Sequence, residues 1–180
     1  MAVDHFIGYA QGLPNGLREI EPTLAAIVAA FVRGPTEAAH LRTVADCVRQ
    51  AARFEIPVVC HIYPRNSDDA TISFEPEDIA WAVRCSLEVG VDVIKAPYCG
   101  DVEAQRRLVA ACPLPVVAAG GPRAESLESA LTMIGEVVRS GTRGATIGRN
   151  VWGFDEIAAA VEAFKAVIHE GKTAAEALGL

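Results

Sequence analysis

The run VDVIKAPY, residues 91–98, sets one lysine into an apolar, β-branched stretch. The chain has three lysines, Lys95, Lys165 and Lys172, against thirteen arginines, and the other two lie near the C-terminus on segments that read as solvated surface. A lysine in water titrates at about 10.4 and is almost all ammonium at neutral pH. An apolar wall disfavours the charge and lowers that value. The neutral amine attacks a carbonyl to form a Schiff base, whose iminium draws electrons from the adjacent carbon. That permits C–C cleavage or formation with no metal and no cofactor. The same residue also fits a strand-end lysine that reaches water or pairs with Asp92 or Asp101, and the strand alone does not choose between them.

Two further features bear on the choice. Gly120-Gly121 and Gly148-Arg149 follow consecutive expected strands. Glycine lets the backbone approach an anion, amide groups donate to its oxygens, and arginine adds a charged fork, so the pair suits a phosphate. Tyr63 ends the strand before the lysine strand, where a phenol passes a proton to or from a substrate hydroxyl or else caps the core. Asp4 and His5 end the first expected strand. A carboxylate there binds hydroxyls, moves protons, or caps a helix. Tyr98 lies three residues past Lys95, so it faces away from the lysine or sits on the loop and is read as structural.

These residues need a scaffold that brings them together. Short apolar runs at 56–63, 91–98, 114–119 and 145–148 read as buried strands. Helical spacing covers 77–89, 102–111, 125–140 and 154–170, with a last short piece at 173–179. Gly90 fits the end of the first of these helices. In the N-terminal part, residues 2–6 read as a strand, 21–30 and 37–54 as helices, and 31–33 as a short strand. Strands alternating with helices imply right-handed βαβ units and a parallel sheet. Polar and glycine-rich residues follow each strand C-terminus, the edge that carries the site in parallel α/β folds. No linker or repeat divides the chain, which reads as one domain over residues 1–180.

Half the 180 residues are hydrophobic, which argues against disorder. No apolar run approaches the ~20 residues of a membrane helix, and the first residues lack the pattern of a signal peptide. A net charge of −7 argues against a nucleic-acid binder, which carries a basic stripe. The five cysteines lack CxxC spacing and read as free thiols of a cytoplasmic protein rather than a disulfide or zinc framework.

In succession, VDVIKAPYCGD, VVAAGGPR and GATIGRNVWG resemble the class I, archaeal-type (DhnA-like) fructose-bisphosphate aldolase family. That group includes the ulosonate synthases and the autoinducer-2 thiolases. HIYPRN resembles its tyrosine-bearing strand end, and VDHFIGYAQGLPNGL its opening Asp-His motif, although the family usually has His-Gly where this chain has His5-Phe6. The resemblance covers about residues 56–165 continuously and 1–28 separately. It implies a Schiff-base role for Lys95, proton transfer by Tyr63, and a second acid–base or orienting carboxylate in Asp4. Gly120, Gly121, Gly148 and Arg149 would hold a substrate phosphate. The expected activity is a metal-independent class I aldolase acting on a phosphorylated sugar-like ketone such as fructose 1,6-bisphosphate. The alternatives are ulosonate synthase or thiolase-type carbon transfer, or a non-catalytic phosphometabolite-binding remnant. The implied fold is a TIM (β/α)8 barrel, often assembled into rings. Such a barrel takes about 250 residues, and the family pattern places a gap of about two βα units after Ala29. The expectation is therefore a shortened barrel-like parallel sheet, incomplete or completed by a homo-oligomer.

Overall fold

The computed structural model describes residues 26–66 and 71–180. Strand β1 (Ala26–Val32) leads to helix α1 (Glu37–Ala52), followed by β2 (Val58–Pro64), α2 (Pro76–Glu88), β3 (Val93–Ala96), α3 (Val102–Ala110), β4 (Val116–Ala119), α4 (Leu127–Arg139) and β5 (Ala145–Thr146). Three helices close the chain, α5 (Arg149–Trp152), α6 (Ile157–Glu170) and α7 (Ala174–Leu178). The five described strands form one sheet in the order β1-β2-β3-β4-β5, every neighbouring pair parallel. Sequential parallel strands joined by helices are the construction of a (β/α)8 barrel, here shortened. Among the described residues β1 and β5 are the outer strands. No described helix is long and apolar enough to cross a membrane.

The helices start where the sequence provides caps. Asp101 Oδ1 accepts from Ala104 N at 2.6 Å to open α3, and Ser126 Oγ accepts from Ser129 N at 3.1 Å to open α4. Pro76 occupies the first turn of α2, where its missing N–H costs nothing. Gly90 ends that helix at φ +82°, a conformation that favours glycine. Thr173 and Glu176 form a reciprocal capping box on α7.

One face of the sheet is buried under these helices. Val58, Cys60, Ile62, Ile94, Ala96 and Val116 form a core with Val44 and Ala51 of α1, Ile79, Ala82 and Val83 of α2, and Leu108 of α3. A second core joins α4 and α6 through Leu131, Ile134, Phe164 and Val167. Tyr98 packs with Ala118 and Val137, and its hydroxyl donates to Glu136 Oε2 at 3.2 Å. It lies on the helix side, as its spacing from the lysine predicts. Burial first, then the Glu136 carboxylate, pushes its phenol well above the usual range.

The helix expected over 21–30 is corrected: residues 26–30 belong to β1, and 21–25 lie outside the described residues. The alanines of AIVAAFV suit a helix, but all seven residues pair with β2, from Ala26 beside Val58 to Val32 beside Pro64. Long-range pairing outweighs the weak local preference of alanine. Of the short strand expected at 31–33, residues 31 and 32 are the C-terminal end of this longer one and Arg33 lies beyond it. The expected helix 154–170 begins at Ile157, because the single turn α5 precedes it. The strand expected at 2–6 lies outside the described residues.

Candidate active site

Because all neighbouring strands are parallel, their C-terminal ends meet at one edge. Tyr63 and Arg65, the segment 97–101, the segment 120–123 and the segment 147–150 all follow or end strands there.

Lys95 sits in β3 with 0% of its surface exposed. Side chains alternate across a strand, so its neighbours Ile94 and Ala96 enter the helix-covered core while Lys95 takes the opposite face. Both carboxylates suggested as alternative partners have structural duties. Asp92 Oδ2 accepts from Val58 N at 2.7 Å, joining the start of β3 to the start of β2, and Asp101 caps α3. The lysine head does not reach solvent.

Tyr63 lies in β2, half-buried, on the same face as Lys95, since its neighbours Ile62 and Pro64 are buried on the other. The register places His61, not Tyr63, directly beside Lys95. Tyr63 stands two residues further toward the strand ends, roughly 7 Å along. Asp4 and His5 lie outside the described residues.

The two glycine loops are held side by side. Gly120 N donates to Thr146 O at 3.0 Å as part of the β4–β5 ladder. A Cβ on Gly120 would come within 2.9 Å of Ile147 Cα, so its lack of a side chain is what lets the strands approach. Gly121 follows at φ +69°. Arg149 is exposed and donates through Nη2 to Gly121 O at 3.0 Å, spanning the two loops. Arg123 donates to Gly153 O at 2.6 Å and lies over the Phe154 ring, its Cζ 5.9 Å from the centroid. Two guanidinium groups thus belong to this pair of loops.

Three residues of this region were not singled out in the sequence. His61 is detectable by alternation, two before Tyr63 in the same strand, but its match to Lys95 depends on the register. Asn150, 1% exposed, accepts from Ala124 N at 2.7 Å through Oδ1 and donates through Nδ2 to Gly120 O at 2.8 Å and Pro122 O at 3.0 Å. Nothing local in the sequence signals that bridge. Arg123 is visible only as the arginine after Gly-Gly-Pro. Among the described residues no group of three His, Cys, Asp or Glu side chains is placed to hold a metal ion.

The sequence profile of the DeoC/LacD family aldolases matches residues 25–153. The chain belongs to this family. Fructose-bisphosphate aldolase class 1 from Thermoproteus tenax is 33% identical over 133 residues, which is 73% of this chain and 50% of that protein. The 2-amino-4,5-dihydroxy-6-oxo-7-(phosphonooxy)heptanoate synthase of Streptomyces griseus is 32% identical over 67% of this chain and 44% of its own. An archaeal fructose-1,6-bisphosphate aldolase, solved with its catalytic lysine covalently bound to the carbinolamine intermediate, superposes with a TM-score of 0.76 at 27% identity, covering 81% of this chain and 58% of that one. This DeoC/LacD chain spans about half the length of the curated relatives it matches.

Proposed function

We propose that the protein is a class I aldolase, cleaving or forming a C–C bond in a phosphorylated sugar-like ketone of the fructose 1,6-bisphosphate type. Lys95 attacks the carbonyl and water leaves, giving an iminium. In the cleavage direction Tyr63 takes the proton from the hydroxyl β to the iminium carbon. That C–O becomes a carbonyl, the C–C pair moves into the iminium, and an enamine forms on Lys95. Asp4 supplies the second acid–base or orienting carboxylate. Gly120, Gly121, Gly148 and Arg149 hold the phosphate: the glycines let the backbone approach, and Arg149 adds charge. Gly120 acts by close approach, since its N–H is held by Thr146 O. Anchoring the phosphate fixes the carbonyl beside the amine, where positioning assists the rate.

The observation that carries this reading is the burial of Lys95 on the face that also bears Tyr63, in a chain of an aldolase family. Among the described residues β1 and β5 are outer strands, which supports association of copies of the chain, and five free thiols fit a cytoplasmic location. Borohydride reduction in the presence of dihydroxyacetone phosphate or fructose 1,6-bisphosphate tests the proposal by mass spectrometry. The expected result is one adduct on Lys95, lost in Lys95→Met. A saturated wild-type protein that traps no adduct would overturn the proposal, and an adduct that survives in Lys95→Met would move the site elsewhere.

Similarity to the Streptomyces griseus synthase favours a second reading, ulosonate-synthase or thiolase-type carbon transfer to another acceptor through the same amine. A panel of acceptors separates it from simple aldol cleavage. A third reading, a phosphometabolite-binding protein without the carbon–carbon chemistry, would bind ligand and trap no adduct in the same experiment.

A further inference from the structure

His61 and Lys95 are direct partners across β2 and β3. Partners in a parallel pair project from the same face, and adjacent strands lie about 4.8 Å apart. Both side chains are out of solvent, at 5% and 0% exposure. On β4 the row continues with Val117. Two residues toward the strand starts, on the same face, the partners are Val59 and Val93. Within the row His61, Lys95, Val117 the imidazole is the one group besides the amine able to carry a proton. Packing alone is met elsewhere on these strands by valine, isoleucine and alanine, so a polar ring level with the amine is a specific choice.

The geometry points to His61 as the acid–base residue of the amine step, moving protons between Lys95 Nζ and the carbonyl oxygen of the substrate. This rests on the Schiff-base reading above. The proton count defines the task. The Lys95 ammonium carries three protons, and the protonated iminium carries one. The two that leave the nitrogen depart with the carbonyl oxygen as water. In the first transfer His61 takes a proton from the ammonium, and the freed electron pair forms the N–C bond. The C=O π pair moves to oxygen, which takes that proton from the imidazolium. In the second, His61 carries a proton from the nitrogen of the carbinolamine to its hydroxyl, the C–O bond breaks, and the nitrogen pair closes the C=N bond. No net proton, oxidant or reductant is consumed. Imidazole, whose ordinary pKa lies near neutrality, both accepts and returns a proton readily. Tyr63, two residues nearer the rim, is left to the hydroxyl of the carbon chain. Two proton tasks at two heights are thus divided between two residues of one strand.

The test is rapid-quench borohydride trapping with saturating dihydroxyacetone phosphate, following growth of the Lys95 adduct in wild type, His61→Gln and His61→Ala. His61→Gln is expected to slow adduct growth by about 10²-fold while the final amount matches wild type, because binding and the amine remain. Imidazole added to His61→Ala is expected to restore the rate in proportion to its concentration, which a loss of packing would not predict. Adduct growth at the wild-type rate in His61→Gln overturns the assignment, as does a lower final amount with an unchanged rate constant and no imidazole rescue. Failure of wild type to form any adduct instead overturns the Schiff-base reading itself, so the two failures are told apart.

Discussion

The Asn150 side-chain amide donates to the Gly120 carbonyl at 2.8 Å, binding the short helix α5 that follows β5 to the loop after β4. Its second N–H bond, to Pro122 O, and its acceptance from Ala124 N extend the tie along the same loop. All three bonds come from a single buried side chain. The relative position of Gly121 and Arg149 is therefore set by the protein itself, and for the phosphate site proposed above preorganisation of this kind would lower the cost of binding.

Replacing Asn150 by alanine removes all three bonds and leaves the buried Gly120 carbonyl without its Asn150 donor. Each net bond contributes about 1 kcal/mol, and an orphaned group costs more. Asn150→Ala is expected to lower unfolding free energy by about 2–4 kcal/mol and to raise KM for a phosphorylated ketone more than it lowers kcat. Denaturant titration and steady-state kinetics check the two parts. An unchanged KM would mean that these loops do not hold the phosphate.

Gly120 and Gly148 resist a side chain for different reasons. A Cβ on Gly120 would strike backbone, at 2.9 Å from Ile147 Cα and 3.0 Å from Thr146 O. One on Gly148 would strike the Trp152 ring, at 2.6 Å from Cη2, the far end of a partly exposed side chain rather than backbone. Gly120→Ala is expected to cost about 1–3 kcal/mol by overpacking, and Gly148→Ala less. Comparing the two melting curves decides it: equal losses would show that the β4–β5 approach is softer than the geometry implies.

Tyr63→Phe separates C–C chemistry from adduct formation. The phenol stands above the Lys95 row rather than in it. The variant is expected to trap an adduct on Lys95 at nearly the wild-type rate while kcat falls about 10²–10⁴-fold. A variant that loses trapping and turnover together would place the phenol in the amine step instead.

Much of this arrangement was legible in the amino-acid order. The apolar setting of Lys95 marked it as a candidate amine without choosing between burial and a strand-end position, and the two glycine turns marked loops at one sheet edge. A helix end was readable where a cap residue marks it, as at Gly90, whereas Asp101, read as a possible partner of Lys95, caps α3 instead. The strand β1 was not readable, because an alanine-rich run acquires its conformation from a partner strand beyond the intervening helix α1. His61 and Asn150 were missed for a related reason. Lateral register pairs His61 with Lys95, and Asn150 acts across two loops. Neither relationship leaves a mark in local spacing.

The thiols supply a pH-dependent check on the fold. Burial pushes the Cys60 thiol up from 9.0 to about 11. Cys85 is also raised to about 11, by burial first and then by the Glu37 carboxylate. Both groups are held neutral in the folded chain, while the unfolded chain ionises them near their ordinary value. Between about pH 9 and 11 the unfolded state therefore binds fewer protons than the folded state, and stability falls as pH rises. The contribution is fully present below pH 9 and is lost as pH rises through about 11. Native labelling at about pH 8, just below the ordinary thiol range, is expected to modify the partly exposed Cys47, Cys99 and Cys112 but spare Cys60 and Cys85. Replacing Cys60 by alanine is expected to flatten the alkaline limb of the stability curve while lowering the plateau through the small cavity it leaves. Rapid labelling of Cys60 in the native protein, or an alkaline limb unchanged in Cys60→Ala, would contradict the burial of that side chain between β2 and α2.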